Sequence, residues 1–342
     1  MKISIVGITG YSGIELIRLL HQHPTVEIVG VYADSSAGIE LANYYPHLKN
    51  IYYMEIKQID AAEIMATSDC VFFATPSGIS AKLAHPFIAA KFPIIDLSGD
   101  YRLPGEKYEQ WYAKPAADAT DLATMQYVLA DLDDKPANQQ IANPGCYATA
   151  TLLALAPLVK HGLVDNSSMI VDAKSGLSGA GKKLSETSHY SFIHDNMLMY
   201  KANEHQHIPE IVQKLQIWEP SIQSLHFQTS LIPVTRGIFV TAFAKVQPGV
   251  TEEQLYAAYQ QVYANSQFVR VQPQGQLPNL KQVIGSNYCD LGLTLNETTG
   301  IVTVVSVIDN LIKGAAGQAI QNMNKIFDLP ENAGLDFVPQ FP

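Results

Sequence analysis

Cys146 stands in Asn143-Pro144-Gly145-Cys146-Tyr147, directly ahead of the apolar, helix-favouring stretch 148–160. A Pro-Gly turn that opens a helix places the thiol at a helix N-terminus. Unpaired amide N–H groups and the helix dipole favour a thiolate there, and the same amides could hold an oxyanion. An inert buried thiol is the commoner fate of a cysteine. Cys70, inside an apolar strand pattern, and Cys289 fit that fate, while the turn sets Cys146 apart as a nucleophile. A thiolate needs a proton-transfer partner that titrates near neutrality, ordinarily histidine. Of ten histidines, His205 and His207 form the distinctive pair, in His205-Gln206-His207-Ile208-Pro209-Glu210-Ile211 at a helix start. A His-x-His pair can also bind metal, but no Cys, Asp or Glu cluster completes a ligand set, so no metal is expected.

A second chemistry is written in Gly7-Ile8-Thr9-Gly10-Tyr11-Ser12-Gly13, between the first strand pattern and the first helix pattern. Glycines in the first βα turn let the backbone approach a pyrophosphate seated on the helix N-terminus. The spacing is G-x-x-G-x-x-G, and its place in an alternating βα chain makes it a dinucleotide signal. Asp34 follows Gly13 by 21 residues. An acid there would bind a ribose 2′-hydroxyl and favour NAD, whereas Ser35 and Ser36 could donate to a 2′-phosphate, so spacing leaves NAD against NADP open. The loop Ser175-Gly176-Leu177-Ser178-Gly179-Ala180-Gly181, followed by Lys182 and Lys183, could form an anion-binding nest of backbone N–H groups. Arg102 and Arg236 stand in loops beside strand ends, where bidentate contacts to carboxylate or phosphate are useful.

The elements that must position these residues change character along the chain. Strand patterns at 3–6, 26–32, 70–74 and 93–97 alternate with helix patterns at 11–21, 59–67 and 77–91, which implies βαβ units and a parallel sheet. Short strands are expected at 125–129 and 140–142, and residues 101–121, rich in Pro, Gly and aromatics, read as a surface loop. From about Ser168 long strand patterns dominate, at 169–173, 225–234, 237–246 and 301–308, with helices at 207–216 and 252–265. That pattern indicates an α+β domain on a mainly antiparallel sheet. The tail 311–327 is helical and Ala-rich, and suits packing back on the first domain. The expected division is a Rossmann-type α/β dinucleotide-binding domain over 1–145 plus 312–342, and a catalytic and oligomerisation domain over 146–311.

Composition bounds the function. The 342 residues are 47% hydrophobic and 16% charged, enough apolar material for two cores and too little charge for disorder. Lys+Arg number 22 against 32 Asp+Glu, a net charge of −10, which argues against a nucleic-acid partner. Three cysteines give no disulfide framework and point to a reducing compartment. The N-terminus runs straight into a strand without signal-peptide features, and no apolar run approaches the roughly 20 residues of a membrane span. The reading is a cytoplasmic protein with a small-molecule substrate and no membrane partner.

Seven ordered motifs carry a resemblance: Gly7 to Gly13, Asp96-Leu97-Ser98-Gly99-Asp100-Tyr101-Arg102, Asn143 to Tyr147, Ser175 to Gly181, His205 to Ile211, Pro233-Val234-Thr235-Arg236-Gly237, and Asp309-Asn310-Leu311-Ile312-Lys313-Gly314-Ala315-Ala316. Over essentially the whole chain the sequence resembles the N-acetyl-γ-glutamyl-phosphate reductase family of arginine biosynthesis, related more distantly to aspartate-semialdehyde and glyceraldehyde-3-phosphate dehydrogenases. The resemblance implies that Cys146 attacks an acyl phosphate, and that hydride from NADPH reduces the resulting thioester to a semialdehyde. It implies His207 as acid/base with His205 in support, without settling which of the two acts. Ser98, Arg102 and Arg236 become substrate or phosphate ligands. Gly7, Thr9, Gly10, Tyr11, Ser12, Gly13, Ser35, Ser36, Thr75, Pro76, Ser178, Gly179 and Asn310 become cofactor contacts, and a homo-oligomer, dimer or tetramer, is implied. Two positions depart from the family: Gln206 stands where many relatives carry Arg, and no Arg follows Asp34. The alternatives are a related reductase acting on an aminoadipate derivative or aspartyl phosphate, a cofactor-free cysteine hydrolase, and a non-catalytic nucleotide sensor.

Overall fold

A computed structural model describes residues 1–341. The chain divides into two compact units, the first comprising Met1–Pro144 with Ala315–Leu335, the second Gly145–Gly314 with the tail from Asp336.

The first unit is built on seven parallel strands: β1 (Lys2–Val6), β2 (Glu27–Tyr32), β3 (Ile56–Lys57), β4 (Cys70–Phe73), β5 (Ile94–Asp96), β6 (Gln126–Tyr127) and β7 (Gln140–Ala142). Their order in the sheet is β3-β2-β1-β4-β5-β7-β6, with every pairing parallel. The apolar runs Ile3 to Val6 and Cys70 to Phe73 are buried almost throughout, as strands covered on both faces must be. Helices α1 (Tyr11–Leu20), α2 (Leu41–Tyr44), α3 (Ala61–Thr67), α4 (Ser80–Leu83), α5 (His85–Ala89), α6 (Gly105–Tyr112) and α7 (Ala119–Thr124) complete the crossovers.

Two expectations fail locally. The single helix expected over 77–91 is broken into α4 and α5, because Pro86 at the start of α5 has no N–H to continue the ladder. The expected loop 101–121 contains α6 and the start of α7. Tyr108 is fully buried on α6 and its hydroxyl donates to Asp100 (2.7 Å), while the Asp118 carboxylate caps α7 by accepting from Thr120 N (2.8 Å). The C-terminal helix Gly317–Ile326 packs on α1 and β5. Its Asn322 amide donates to the carbonyl of Val128 (3.1 Å) and to Asn143 Oδ1 (3.0 Å).

The second unit carries β8 (Ile170–Ser175), β9 (Leu198–Tyr200), β10 (His226–Leu231), β11 (Ile238–Lys245), β12 (Val269–Val271), β13 (Cys289–Asn296) and β14 (Ile301–Ile308), in the order β12-β13-β14-β11-β8-β10-β9. Four of the six pairings are antiparallel. Helix α8 (Cys146–Lys160) packs on β11 and β14, with α10 (His207–Trp218) and α11 (Glu252–Val262) against it, and the short α9 (Tyr190–Ile193) lies in an exposed segment. Residues Tyr147 to Val159 of α8 are all buried, which is why this helix reads as apolar all round. The final residues differ from the expected tail assignment: Gln340 N donates to the carbonyl of Ile284 (2.7 Å) in the second unit. No helix among the described residues is long and apolar enough to cross a membrane.

Candidate active site

In the first unit the strand order reverses between β1 and β4, the position at which open α/β sheets bind ligands beyond their carboxyl ends. Gly7 leaves β1 with φ +89°, and a Cβ there would stand 2.5 Å from the Ala74 carbonyl oxygen. A Cβ on Gly13 would stand 2.5 Å from the Gly7 carbonyl oxygen, so both positions need glycine. Gly10 is the N-cap of α1, and no side chain caps this helix. The helix therefore starts with its amides open, as a pyrophosphate requires. Thr75, after β4, has an enclosed hydroxyl with no hydrogen bond within the described residues, a polar atom suited to a ligand. Thr9, Tyr11, Ser12 and Pro76 belong to the same two turns. Asp34 and Ser35 are exposed two and three residues past β2, and Ser36 is buried.

In the second unit Gly145 is the N-cap of α8 and Cys146 its first residue, again without a side-chain cap. Gly145 N donates to Glu210 Oε1 (2.7 Å), and Glu210 Oε2 lies 3.9 Å from His207 Nε2, an ion-pair distance whenever the ring is protonated. Glu210 is 1% exposed and His207 7%. One carboxylate thus joins the turn before the thiol to the first residue of α10. The Tyr147 ring, next to Cys146, packs edge-on against His205 (5.2 Å) and His207 (6.0 Å). His205 Nδ1 accepts from the His207 amide (3.2 Å). Burial, reinforced by His207 and Lys201, pushes the His205 imidazole down to about 2, so this ring stays neutral. Cys70 and Cys289 are fully buried, and burial pushes the Cys70 thiol far up, the inert state read from the sequence. Among the described residues no group of three or more His, Cys, Asp or Glu is arranged to hold a metal ion.

The glycine loop behaves differently from the nest expected of it. Gly176 N, Leu177 N and Ser178 N donate to the carbonyls of Gly237, Val234 and Thr235, and Gly179 N and Gly181 N to those of Gly176 and Ser178. These amides are engaged and leave no anion nest. The glycines serve close approach: a Cβ on Gly179 would stand 2.6 Å from Ser175 Oγ. The loop instead presents Ser178, whose hydroxyl accepts from Asn310 Nδ2 (3.0 Å) while Asn310 Oδ1 accepts from Gly237 N (2.7 Å). Arg236 Nη1 lies 3.5 Å from Asp309 Oδ2, with part of its side chain exposed. Residues Ile312–Ala316 form a π-helical turn, and Gly314 within it is forced: a Cβ would stand 2.7 Å from that of Cys146.

Comparison with known proteins places this geometry. The semialdehyde dehydrogenase NAD binding domain family matches residues 2–139, and the semialdehyde dehydrogenase dimerisation domain family matches residues 146–310. The chain is 52% identical over 343 aligned positions to the N-acetyl-gamma-glutamyl-phosphate reductase of Listeria monocytogenes serotype 4b, covering 100% of both chains. It is 53% identical to that of Streptococcus mutans, again covering 100% of both, and 54% identical to that of Lactococcus lactis over 99% of both. The chain belongs to the N-acetyl-γ-glutamyl-phosphate reductase family. The fold is shared more widely: aspartate semialdehyde dehydrogenase II of Vibrio cholerae superposes with TM-score 0.71 at 17% identity over 96% of this chain and 98% of that one. The Candida albicans aspartate semialdehyde dehydrogenase structure with NADP gives 0.69 at 17% over 97% and 99%. As a reductase of this family the chain is an oxidoreductase with a nicotinamide-dinucleotide-binding domain and a dimerisation domain.

Within this reductase, the Asp96-to-Arg102 motif is largely a structural network. Ser98 is buried; its hydroxyl donates to Asp96 Oδ2 (2.7 Å) and accepts from Asp100 N (3.1 Å). Asp100 accepts from Gly78 N (2.6 Å) and Ala81 N (2.9 Å), fixing the turn after β4. Arg102 is held by the carbonyls of Asn143 (2.8 Å) and Leu97 (2.7 Å). Burial, then the neighbouring Asp100, pushes the Asp96 carboxyl up to about 6. An acid with a raised folded pKa keeps its proton where the unfolded chain has lost it. Its contribution therefore falls as pH rises from about 4 to about 6 and is gone above that. Asp96→Asn is expected to gain up to about 3 kcal/mol on the wild type between pH 4 and pH 7. Urea unfolding at both pH values measures this, and an equal difference at the two would refute it.

Sequence reasoning missed Glu210, Tyr200 and Lys201. Glu210 could have been found by its three-residue spacing from His207 at a helix start. Lys201 Nζ donates to Gln206 Oε1 (3.0 Å), bringing a cation beside the residue that separates the two histidines. Tyr200 has no local signal at all.

Proposed function

We infer that the chain reduces N-acetyl-L-glutamyl 5-phosphate to N-acetyl-L-glutamate 5-semialdehyde and phosphate, in arginine biosynthesis, through a thioester on Cys146. The observation that carries this reading is the link from the Cys146 turn through Glu210 to His207, in a chain aligned end to end with reductases named for this substrate. The Cys146 sulfur attacks the acyl carbonyl, the carbon–oxygen bond to phosphate breaks, and phosphate leaves with the electron pair. Arg236, paired with Asp309, is the proposed ligand of an anionic group of the substrate; Arg102, tied to the Asn143 and Leu97 carbonyls, is proposed as a second. A nicotinamide dinucleotide held at the Gly7 to Gly13 turn would supply the hydride needed to bring the thioester carbon to the aldehyde level. His207 protonates the developing alkoxide, and as a base takes the proton back when the carbon–sulfur bond breaks and the thiolate returns. His205, neutral, supports His207 through its amide.

The Gly7 to Gly13 turn and Thr75 of the first unit are the proposed seat of the dinucleotide, and Ser178, Gly179 and Asn310 of the second are proposed nicotinamide contacts. NADPH is the proposed form. Ser35 is exposed after β2, and Lys57, in register with Tyr32, the last residue of β2, is half exposed with its Nζ paired to Glu63 (2.5 Å). The dimerisation-domain match supports a homo-oligomer.

The reverse reaction tests the whole reading: semialdehyde, phosphate and NADP together should yield reduced cofactor, and titration should favour NADPH over NADH by at least about tenfold. Turnover of an acyl substrate without nicotinamide would favour a hydrolase instead. Equal affinity for the two cofactors would remove the phosphate-site assignment.

A further inference from the structure

Around His205 the second unit builds an aromatic box. Tyr147 presents its edge at 5.2 Å and 87°, Tyr200 at 5.9 Å and 75°, Phe227 stands tilted at 6.2 Å, and His207 closes the remaining side at 4.7 Å. Two of these rings end in hydroxyls 3.0 Å apart, those of Tyr147 and Tyr200, and the Tyr147 hydroxyl donates to the Ser230 carbonyl (3.4 Å). Tyr200 is itself pinned. It ends β9 in register with Thr229, whose hydroxyl donates to the Tyr200 carbonyl (2.5 Å).

We infer that the Tyr147–Tyr200 hydroxyl pair is a positioning device for His207, acting by holding rigid the His205 ring on which the His207 amide is anchored. The inference rests on the reading of Cys146 as nucleophile and His207 as acid/base. Edge-to-face ring contacts are weak and tolerate sliding. A hydrogen bond between buried hydroxyls is directional and removes that freedom. If the His205 ring tips, its Nδ1 carries the His207 amide and the first turn of α10 with it. That turn also holds Glu210, and through Glu210 the Gly145 amide at the start of α8. Tyr147 adjoins Cys146 in sequence, so one residue shares the thiol's turn while its ring packs on the two histidines. Burial, with a smaller push from the Cys146 charge, raises Tyr200 to about 12 and Tyr147 further, so both hydroxyls keep their protons at working pH. The titratable and charged groups of this neighbourhood are Cys146, His207, Glu210 and Lys201. The pair therefore works through geometry and not as a proton donor.

Phenylalanine at either position keeps the ring and deletes the hydroxyl. Tyr147→Phe and Tyr200→Phe should each lower kcat about fivefold, the effect of one net hydrogen bond. KM should stay within about twofold, and the limb of the kcat–pH profile belonging to His207 should move. Because both variants break the same bond, the double variant should also lose about fivefold instead of multiplying the losses. The pH dependence of Cys146 alkylation by iodoacetamide gives a second reading, which should shift alike in all three variants. Wild-type kcat in both single variants would overturn the inference, as would multiplied losses with an unmoved pH profile. Survival of activity in Cys146→Ser would instead sink the reading of the site beneath it, so the two failures are distinguishable.

Discussion

Cys146→Ser is expected to abolish reduction, with kcat falling on the order of 10⁴-fold or more, while cofactor affinity stays within about twofold of wild type. A hydroxyl at the start of α8 cannot ionise near neutrality as a thiol can, so the dipole and open amides of that turn have no anion to stabilise. The glycine turn at residues 7–13 and Thr75, which carry the dinucleotide assignment, belong to the other unit of the chain. Steady-state rates with the acyl phosphate and a fluorescence titration with NADPH measure the two quantities separately. Activity near wild type would end the thioester mechanism, and lost cofactor binding would mean that the substitution acts through the fold. Cys70→Ser and Cys289→Ser, by contrast, change buried thiols remote from any role in the chemistry and should show in thermal stability.

The second large effect separates the histidines. His207→Asn should cost between about 10² and 10⁴ in kcat and flatten the pH–rate profile. His205→Asn should cost far less, because an amide oxygen can still accept the His207 N–H and the lost ring never exchanged a proton at working pH. The opposite ranking would reassign the acid/base. His205 also bears on acid stability. Its folded pKa lies far below the unfolded value of 6.5, so the unfolded chain takes up a proton that the native ring refuses. Its stabilising contribution is present above about pH 6.5 and is lost as pH falls from there toward 2. Denaturant midpoints of wild type and His205→Asn should therefore converge, or cross, on acidification.

Much of this was legible before any coordinates, because the chemistry is concentrated in turns whose residue types are restrictive. Gly7 and Gly13 are demanded by backbone contacts of 2.5 Å, and Cys146 by a Pro-Gly turn before an apolar helix. What escaped was set by tertiary pairing. Strand β13 contains Asp290 and Gly292, which mask a strand pattern; the structure buries Asp290 by pairing it with Arg270 of β12 at 2.6 Å. The Ser175 to Gly181 loop advertised free amides that the neighbouring 234–237 segment takes up. Ser98 looked available to a substrate and is enclosed between two carboxylate-bearing residues. Glu210 stands in a first helical turn, where an acid also suits the helix dipole, so its type and place single out nothing. Tyr200 lies 53 residues from its partner Tyr147, beyond the reach of any local pattern.

The first unit recruits Ala315–Leu335, residues made only after Gly145–Gly314 of the second has been synthesised. Until they arrive, the carbonyls of Val128 and Ala130 lack the Asn322 and Lys325 side chains that bond them, and β5 lacks its covering helix. During synthesis the nucleotide-binding half must therefore wait, open along one flank, for a segment encoded more than 170 codons downstream of Asn143. A nascent chain stalled before Ala315 should be recognised by chaperones and proteases at that flank, even if Gly145–Gly314 has already folded.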